Sequence, residues 1–373
     1  MDLTCFKYQE FQQRRGGMTV VKKYIKMELI VVLICCLFLA SAGVAAEKLG
    51  AYGIDKDSIS VSGISSGGYM AHQFHVAHSK NIIGAGIIAG GPFFCSKGSL
   101  LNICSCINLG GCFRAPANVS ASIEATQKEA AHHRIDHTVN MYADRVWLFS
   151  GRKDTVVPTA VMDIVHEYYK AYLKEENIRY VVSDHAEHAM ISPNAENECE
   201  YSGSPYMNNC DNYDAAGELL KWIYDDKFAE RGVARQGHLL EFDQTEFFDI
   251  RDASISMNDV GHVYVPEDCA KRNGKGGCRL HIAFHGCEQY QEVIGDEFYA
   301  RAGYNEWAET NRIIILYPQT RKWDVPWFMF GWGSEIRNPK GCWDWWGYSD
   351  DSYHVQEGKQ IQAVRKMIDR LAQ

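Results

Sequence analysis

The sequence predicts an α/β fold with a mostly parallel central sheet and helices on both faces. Three observations carry this. Apolar runs such as Ile82–Ala89 and Ile313–Tyr317 alternate with helix-like runs from about residue 58 onward. Those runs are continuously apolar, as strands covered on both faces are. Gly63-Ile-Ser-Ser-Gly67 stands where one strand-like run turns into a helix-like one.

In order, Ser58–Ser62 reads as a strand and Ser66–His78 as a helix. Ile82–Ala89 is a buried strand, followed by a cysteine-rich excursion and a helical stretch over Ser120–His132. Arg145–Ser150 is a strand, Thr159–Leu173 a helix and Ile178–Ser183 a strand, and Tyr213–Phe228 is helical. Phe247–Ile250 and His262–Val265 read as an antiparallel pair. Leu280–Phe284 and Ile313–Tyr317 are buried strands flanking a helix over Glu297–Thr310. An aromatic, glycine-rich excursion spans Lys322–Tyr348, and Val355–Leu371 closes as a helix.

The first 46 residues read as a signal peptide. Lys22, Lys23 and Lys26 precede an apolar run, Leu29 to Phe38, that ends in Ala40-Ser-Ala-Gly-Val-Ala-Ala46. Met18 and Met27 are alternative starts, and a retained membrane anchor is the alternative reading. Residues 47–373 are expected to form one catalytic domain without a separate polymer-binding domain. Removing the 6 Lys+Arg and 3 Asp+Glu of the leader leaves 32 against 44, a net charge of −12. Such an acidic chain argues against nucleic acid as a partner, and no stable membrane association is expected after cleavage.

Beyond the leader ten cysteines remain, as expected of disulfides in an exported chain. Cys199 with Cys210 and Cys269 with Cys278 are short-range candidates. Cys95, Cys104, Cys106 and Cys112 could close two bridges among themselves, and Cys287 and Cys342 remain as a further candidate pair. A zinc site in the Cys104–Cys112 cluster is the alternative, but paired Cys-x2-Cys knuckles are lacking. No metal and no cofactor is expected.

A serine hydroxyl becomes a useful nucleophile when a tight turn exposes it and a histidine takes its proton. Ser65 sits in such a turn, the nucleophile elbow of α/β-hydrolases. In that architecture the acid follows the second strand after the nucleophile, and the histidine follows the next strand. Counting strands forward from Ser65 reaches Asp154 beyond Ser150, then His185 and His188 beyond Ser183. His188 is preferred as the base, because it lies further along the loop. The competing reading of Asp154 is a helix cap. His354, with Asp350 and Asp351 nearby, is the rival base and otherwise a surface or pocket-rim residue. His72, His75 and His78 share a helix face and read as exposed residues rather than metal ligands.

An oxyanion hole needs two backbone N–H groups. Ser66 supplies one. The fitting loop for the other, His281-Ile-Ala-Phe-His-Gly-Cys287, lies about 220 residues after Ser65 instead of before it. The segment after residue 238 therefore reads as the first half of an α/β-hydrolase moved to the end, a circular permutation. The bland reading of His285-Gly286 is an ordinary strand-end turn.

At these positions the chain resembles the secreted, single-domain, circularly permuted poly(3-hydroxybutyrate) depolymerases. The resemblance rests on Gly63-Ile-Ser-Ser-Gly-Gly-Tyr-Met70, Asp154-Thr-Val156, Glu187-His188, His285-Gly-Cys287 and Gly341-Cys-Trp-Asp-Trp-Trp-Gly347. It implies Ser65 as nucleophile, Asp154 and His188 as its partners, and the N–H groups of Ser66 and Cys287 as the oxyanion hole. It also implies a Cys287–Cys342 bridge that pins the oxyanion loop. Ala189-Met-Ile-Ser192 departs from the Thr- or Phe-rich stretch that usually follows the histidine.

Trp323, Trp327, Trp332, Trp343, Trp345 and Trp346 crowd one segment together with Phe328 and Phe330. Some belong to the core. The density of aromatics, broken by glycines, also suggests an exposed patch that binds an apolar chain. A polyester or oligoester of short hydroxyacids fits. The expected activity is that of a serine esterase. The alternatives are a feruloyl or acetylxylan type of carbohydrate esterase and a non-catalytic surface binder that kept the fold.

Overall fold

The computed structural model describes residues 46–108, 117–224, 228–235, 238–271, 277–323 and 337–373. The strand before Ser65 lies inside an eight-stranded sheet. In chain order the strands are β1 (Ile59–Ile64), β2 (Ile82–Ile88), β3 (Arg145–Gly151) and β4 (Ile178–Ser183). A small second sheet holds β5 (Met190–Ile191), β6 (Asn197–Glu198) and β7 (Met207–Asn209). The main sheet then continues with β8 (Leu239–Asp243), β9 (Val260–Tyr264), β10 (Arg279–Phe284) and β11 (Ile313–Tyr317).

The spatial order is β8-β9-β11-β10-β1-β2-β3-β4. The pairs from β11 through β4 are parallel, whereas β9 runs antiparallel to both β11 and β8. Numbered from Leu239 instead, the same order reads 1-2-4-3-5-6-7-8, with the nucleophile strand fifth. The sheet is thus that of an α/β-hydrolase whose early strands come last in the chain. The cut lies between the closing helix and β1: Leu371 O accepts from Tyr52 N (3.1 Å) and Ile54 N (3.3 Å).

Side-chain alternation divides the core into two layers. Val146, Leu148, Ile314 and Leu316 face one layer, and Trp147, Phe149, Ile313 and Ile315 face the other. The first is covered by α1 (Ser66–Ala77), α2 (Val119–Ala131), α3 (Thr159–Lys170) and a closing helix (Lys359–Leu371). The second is covered by helices at Ala215–Tyr224 and Tyr304–Asn311. This two-sided burial is why strands such as β2 and β11 carry no polar alternation, while in β1 the alternating Ser60 and Ser62 are buried and hydrogen-bonded to His281 (2.6 and 2.7 Å).

Four local expectations are corrected. The antiparallel pair is Leu239–Asp243 with Val260–Tyr264, while Phe247 ends a 3-10 turn and packs into the core. The helix expected over Glu297–Thr310 is broken at Gly303, whose φ of 95° interrupts it between Glu297–Arg301 and Tyr304–Asn311. His72, His75 and His78 are buried, because α1 is enclosed on every side. His354 is buried too, against Phe94 at 4.1 Å between ring centroids, and burial pulls its pKa down to about 3.

Disulfides join Cys95 with Cys106, Cys199 with Cys210, Cys269 with Cys278 and Cys287 with Cys342. Cys104 is disulfide-bonded as well, and Cys112 lies outside the described residues. These bonds occupy Cys104 and Cys106, two of the three thiols that the zinc alternative needed. No helix among the described residues is long and apolar enough to cross a membrane. The expected leader falls almost wholly on residues 1–45, which lie outside the described residues.

Candidate active site

The register brings the site residues to one edge of the sheet. Gly63 pairs with Phe284, Ile64 with Ile88, Ile88 with Phe149, and Gly151 with Ser183. The loops carrying Ser65, Asp154, His188 and Cys287 therefore all leave from the C-terminal ends of parallel strands, where open α/β sheets bind ligands.

Ser65 adopts φ 55° and ψ −126°, a conformation costly for a residue with a side chain. Surrounding bonds hold it there: its N–H donates to Ile88 O (3.0 Å) and its carbonyl accepts from Tyr69 N (3.0 Å). The flanking glycines are required by space. A Cβ on Gly67 would overlap the carbonyl oxygens of Phe284 and His285, and one on Gly63 would overlap Gly67 O. The start of α1 thus passes directly against the end of β10.

Asp154 divides its oxygens. Oδ1 accepts from Val156 N (2.8 Å) and Val157 N (2.7 Å), and Oδ2 lies 2.8 Å from His188 Nδ1. The turn cap and the contact with His188 therefore coexist, one oxygen each. Both side chains are buried. Burial acts to lower the His188 pKa, but the Asp154 carboxylate, through charge and hydrogen bond, and Glu187 outweigh it and hold His188 above its usual 6.5. His185 stands apart: it is exposed and faces Glu200 at 3.1 Å.

Glu187 has no role legible in the sequence. Its carboxylate accepts from Thr155 Oγ1 (2.6 Å), Thr155 N (3.1 Å) and the amide of His188. It ties the turn of Asp154 to the turn of His188.

On the opposite side, the Gly286–Cys287 loop runs beside Ser65, since a Cβ on Gly286 would lie 3.3 Å from that of Ser65. Thr320 N donates to His285 Nε2 (3.2 Å), so His285 Nδ1 carries the proton and donates to Gly286 O (2.7 Å). Burial holds this imidazole neutral, lowering its pKa to about 4. A trans peptide points its C=O and the next N–H in opposite directions, so fixing Gly286 O also aims Cys287 N–H. Gln289 adds a second anchor, accepting from Gly286 N (2.7 Å) while donating to the carbonyls of Pro205 (3.0 Å) and Tyr206 (2.9 Å). The Cys287–Cys342 disulfide spans 55 residues and pins the loop from the far side. Among the described residues no acceptor takes the N–H of Ser66 or of Cys287.

Ser65, Ser66, His188 and Cys287 line one cavity of about 310 Å³, with Asp154 behind His188. Ile103, Ile107 and Val156 make its walls apolar. Trp345 and Trp346 line it as well, and Trp345 stacks on Tyr69 with 4.5 Å between centroids. The buried Asp344 carboxylate holds this tryptophan turn through five bonds, to Trp346 N, Gly347 N, Tyr348 N, Ser349 N and Ser349 Oγ. Burial raises its pKa to about 6 in spite of those donors.

The expected aromatic patch is corrected here. Trp343 is fully buried beneath the loop, against Phe284 and His285, and does not line the cavity. Trp323 is half-buried and does not line the cavity. Trp327 and Trp332 lie outside the described residues.

No protein-family model matches the chain. It is 37% identical over 332 residues to the poly(3-hydroxybutyrate) depolymerase of Delftia acidovorans, covering 88% of this chain and 62% of that protein. The chain thus spans somewhat less than two thirds of the Delftia protein's length. It is 35% identical over 340 residues to the polyhydroxybutyrate depolymerase of Talaromyces funiculosus, covering 89% of this chain and 95% of that one. The crystal structure of PHB depolymerase from Penicillium funiculosum superposes with a TM-score of 0.76 at 32% identity, covering 87% of this chain and 98% of that one. A serine-to-alanine variant of PHB depolymerase complexed with an R3HB trimer gives the same values. The chain belongs to the poly(3-hydroxybutyrate) depolymerase family.

Proposed function

We propose that the protein is a serine esterase that hydrolyses the ester bonds of poly(3-hydroxybutyrate) or its oligomers. The carrying observation is one cavity lined by Ser65, His188 and Cys287, in which His188 is held by Asp154 at 2.8 Å. Ser65 Oγ attacks the ester carbonyl while neutral His188 takes its proton. The N–H groups of Ser66 and Cys287 receive the oxyanion, aided by the positive end of α1. Collapse of the tetrahedral intermediate breaks the C–O bond, and His188 returns the proton to the departing alkoxide. Water, deprotonated by His188, then attacks the acyl-enzyme, releasing the acid and restoring Ser65. Apolar walls suit a substrate with methyl branches and no charge along its length.

The disulfides fit an exported protein, with residues 1–46 as its leader and 47–373 as one catalytic domain. The test is clearing of an amorphous polymer suspension, with the soluble products identified. Release of 3-hydroxybutyrate and its short oligomers supports the reading. Ferulate or acetate release from aryl or xylan esters, with the polyester untouched, overturns it.

A further inference from the structure

The charges at the cavity are unevenly paired. Apart from His188, its lining carries two cations, Arg337 and Lys340, and one anion, Glu288. Lys340 Nζ is held by Glu288 Oε2 at 2.9 Å, and Glu288 N donates to Lys340 O, so these two neutralise each other. Arg337 differs from both. Among the described residues no carboxylate pairs with it, and its guanidinium lies over the Trp323 ring at 4.6 Å from the centroid. Stacking orients a guanidinium while leaving its edge N–H donors free. An otherwise acidic chain, −9 overall, thus presents at an apolar cavity one pre-oriented cation that no carboxylate of the described residues neutralises.

From this we infer that Arg337 binds the free terminal carboxylate of an oligoester. The inference rests on the esterase reading above and deepens it. A guanidinium meets a carboxylate through two parallel hydrogen bonds, which a neutral chain segment cannot offer. In an oligomer of 3-hydroxybutyrate the free carboxylate lies on the alcohol side of every ester bond. Arg337 therefore marks the leaving-group end of the cavity, and the unit it holds departs as a hydroxyacid with its carboxylate intact. An oligomer with a free acid end is preferred over the same oligomer capped as a neutral amide. The neighbouring Lys340, already neutralised, contributes little to this preference.

The test compares kcat/KM for a 3-hydroxybutyrate trimer and for its terminal carboxamide, in the parent and in Arg337→Gln, Arg337→Lys and Lys340→Gln. A charge-assisted bidentate contact corresponds to roughly 10–100-fold. The parent is expected to favour the acid by that order, and Arg337→Gln to abolish most of the ratio. Arg337→Lys keeps part of it, Lys340→Gln most of it, and the parent's ratio shrinks with added salt. Equal use of both trimers by the parent, or an unchanged ratio in Arg337→Gln, overturns the assignment while leaving the esterase reading intact. Cleavage of neither trimer overturns both.

Discussion

Glu187 and Thr155 are joined twice: the Thr155 hydroxyl and amide both donate to one carboxylate, at 2.6 and 3.1 Å. That carboxylate also takes the amide of His188. The acid and base of the proposed triad sit on separate loops, and this contact fixes one against the other. Glu187→Gln places an amide N–H₂ against donors. It is expected to lower kcat/KM by about ten- to hundredfold, the size of one or two lost charge-assisted bonds. It also removes a negative charge beside His188, so the midpoint of the acid limb of the pH profile falls. A parent-like rate and profile would show that the clamp does not matter.

The parent's own pH profile follows from His188. Only the neutral imidazole accepts the Ser65 proton, and its pKa is held above 6.5. Activity therefore rises with pH along a limb whose midpoint lies above 6.5. Stability runs the other way. A folded pKa raised above the unfolded one contributes stability that is full below about 6.5 and is lost as pH rises through the folded value. Measuring kcat/KM and Tm from pH 5 to 9 checks both directions, and a limb centred below 6.5 contradicts the argument.

Gly67→Ala tests the elbow's geometry. The added methyl would overlap the carbonyl oxygens of Phe284 and His285, both backbone atoms. Either α1 or the oxyanion loop must move. The expected result is a stability loss of several kcal/mol, about the upper range for overpacking, together with loss of activity. An active variant with unchanged Tm would mean that this approach is looser than described.

The tryptophans divide by role. Trp343→Ala empties a fully buried site and should cost about 3–5 kcal/mol in chemical denaturation. Trp346→Ala, on the cavity wall, should raise KM for an oligoester with a smaller loss of stability. Equal effects of both on KM would contradict the division.

These particulars also mark what was legible in the sequence. The parallel half could be counted because β2 and the Val146–Phe149 stretch of β3 are continuously apolar, and because β1, though broken by Ser60 and Ser62, runs into the Gly63–Gly67 turn. That count led to the loops of Asp154 and His188. β8 is an edge strand whose residues are mostly part-exposed, so its sequence shows no clean alternation, whereas the apolar Phe247-Phe248 pair nearby reads as a strand although Phe247 packs inward from a turn. The histidines of α1 gave no burial signal, since an enclosed helix has no polar face. His75 instead meets Asp144 at 3.0 Å and Tyr169 at 3.1 Å inside the core. Glu187, Gln289 and Arg337 act through contacts across the fold, which residue type and spacing do not reveal. Composition counts the tryptophans, but it is the turn around Asp344 that sets Trp345 and Trp346, and not Trp343, on the cavity wall.

The most direct measurement is hydrolysis of a soluble 3-hydroxybutyrate oligomer by the parent and by Ser65→Ala, with circular dichroism to establish that both are folded. Loss of an activated serine from a triad typically costs about 10⁴-fold or more in kcat. A drop of that order in the folded variant is the predicted result. Hydrolysis by folded Ser65→Ala at the parent's rate would contradict the central claim.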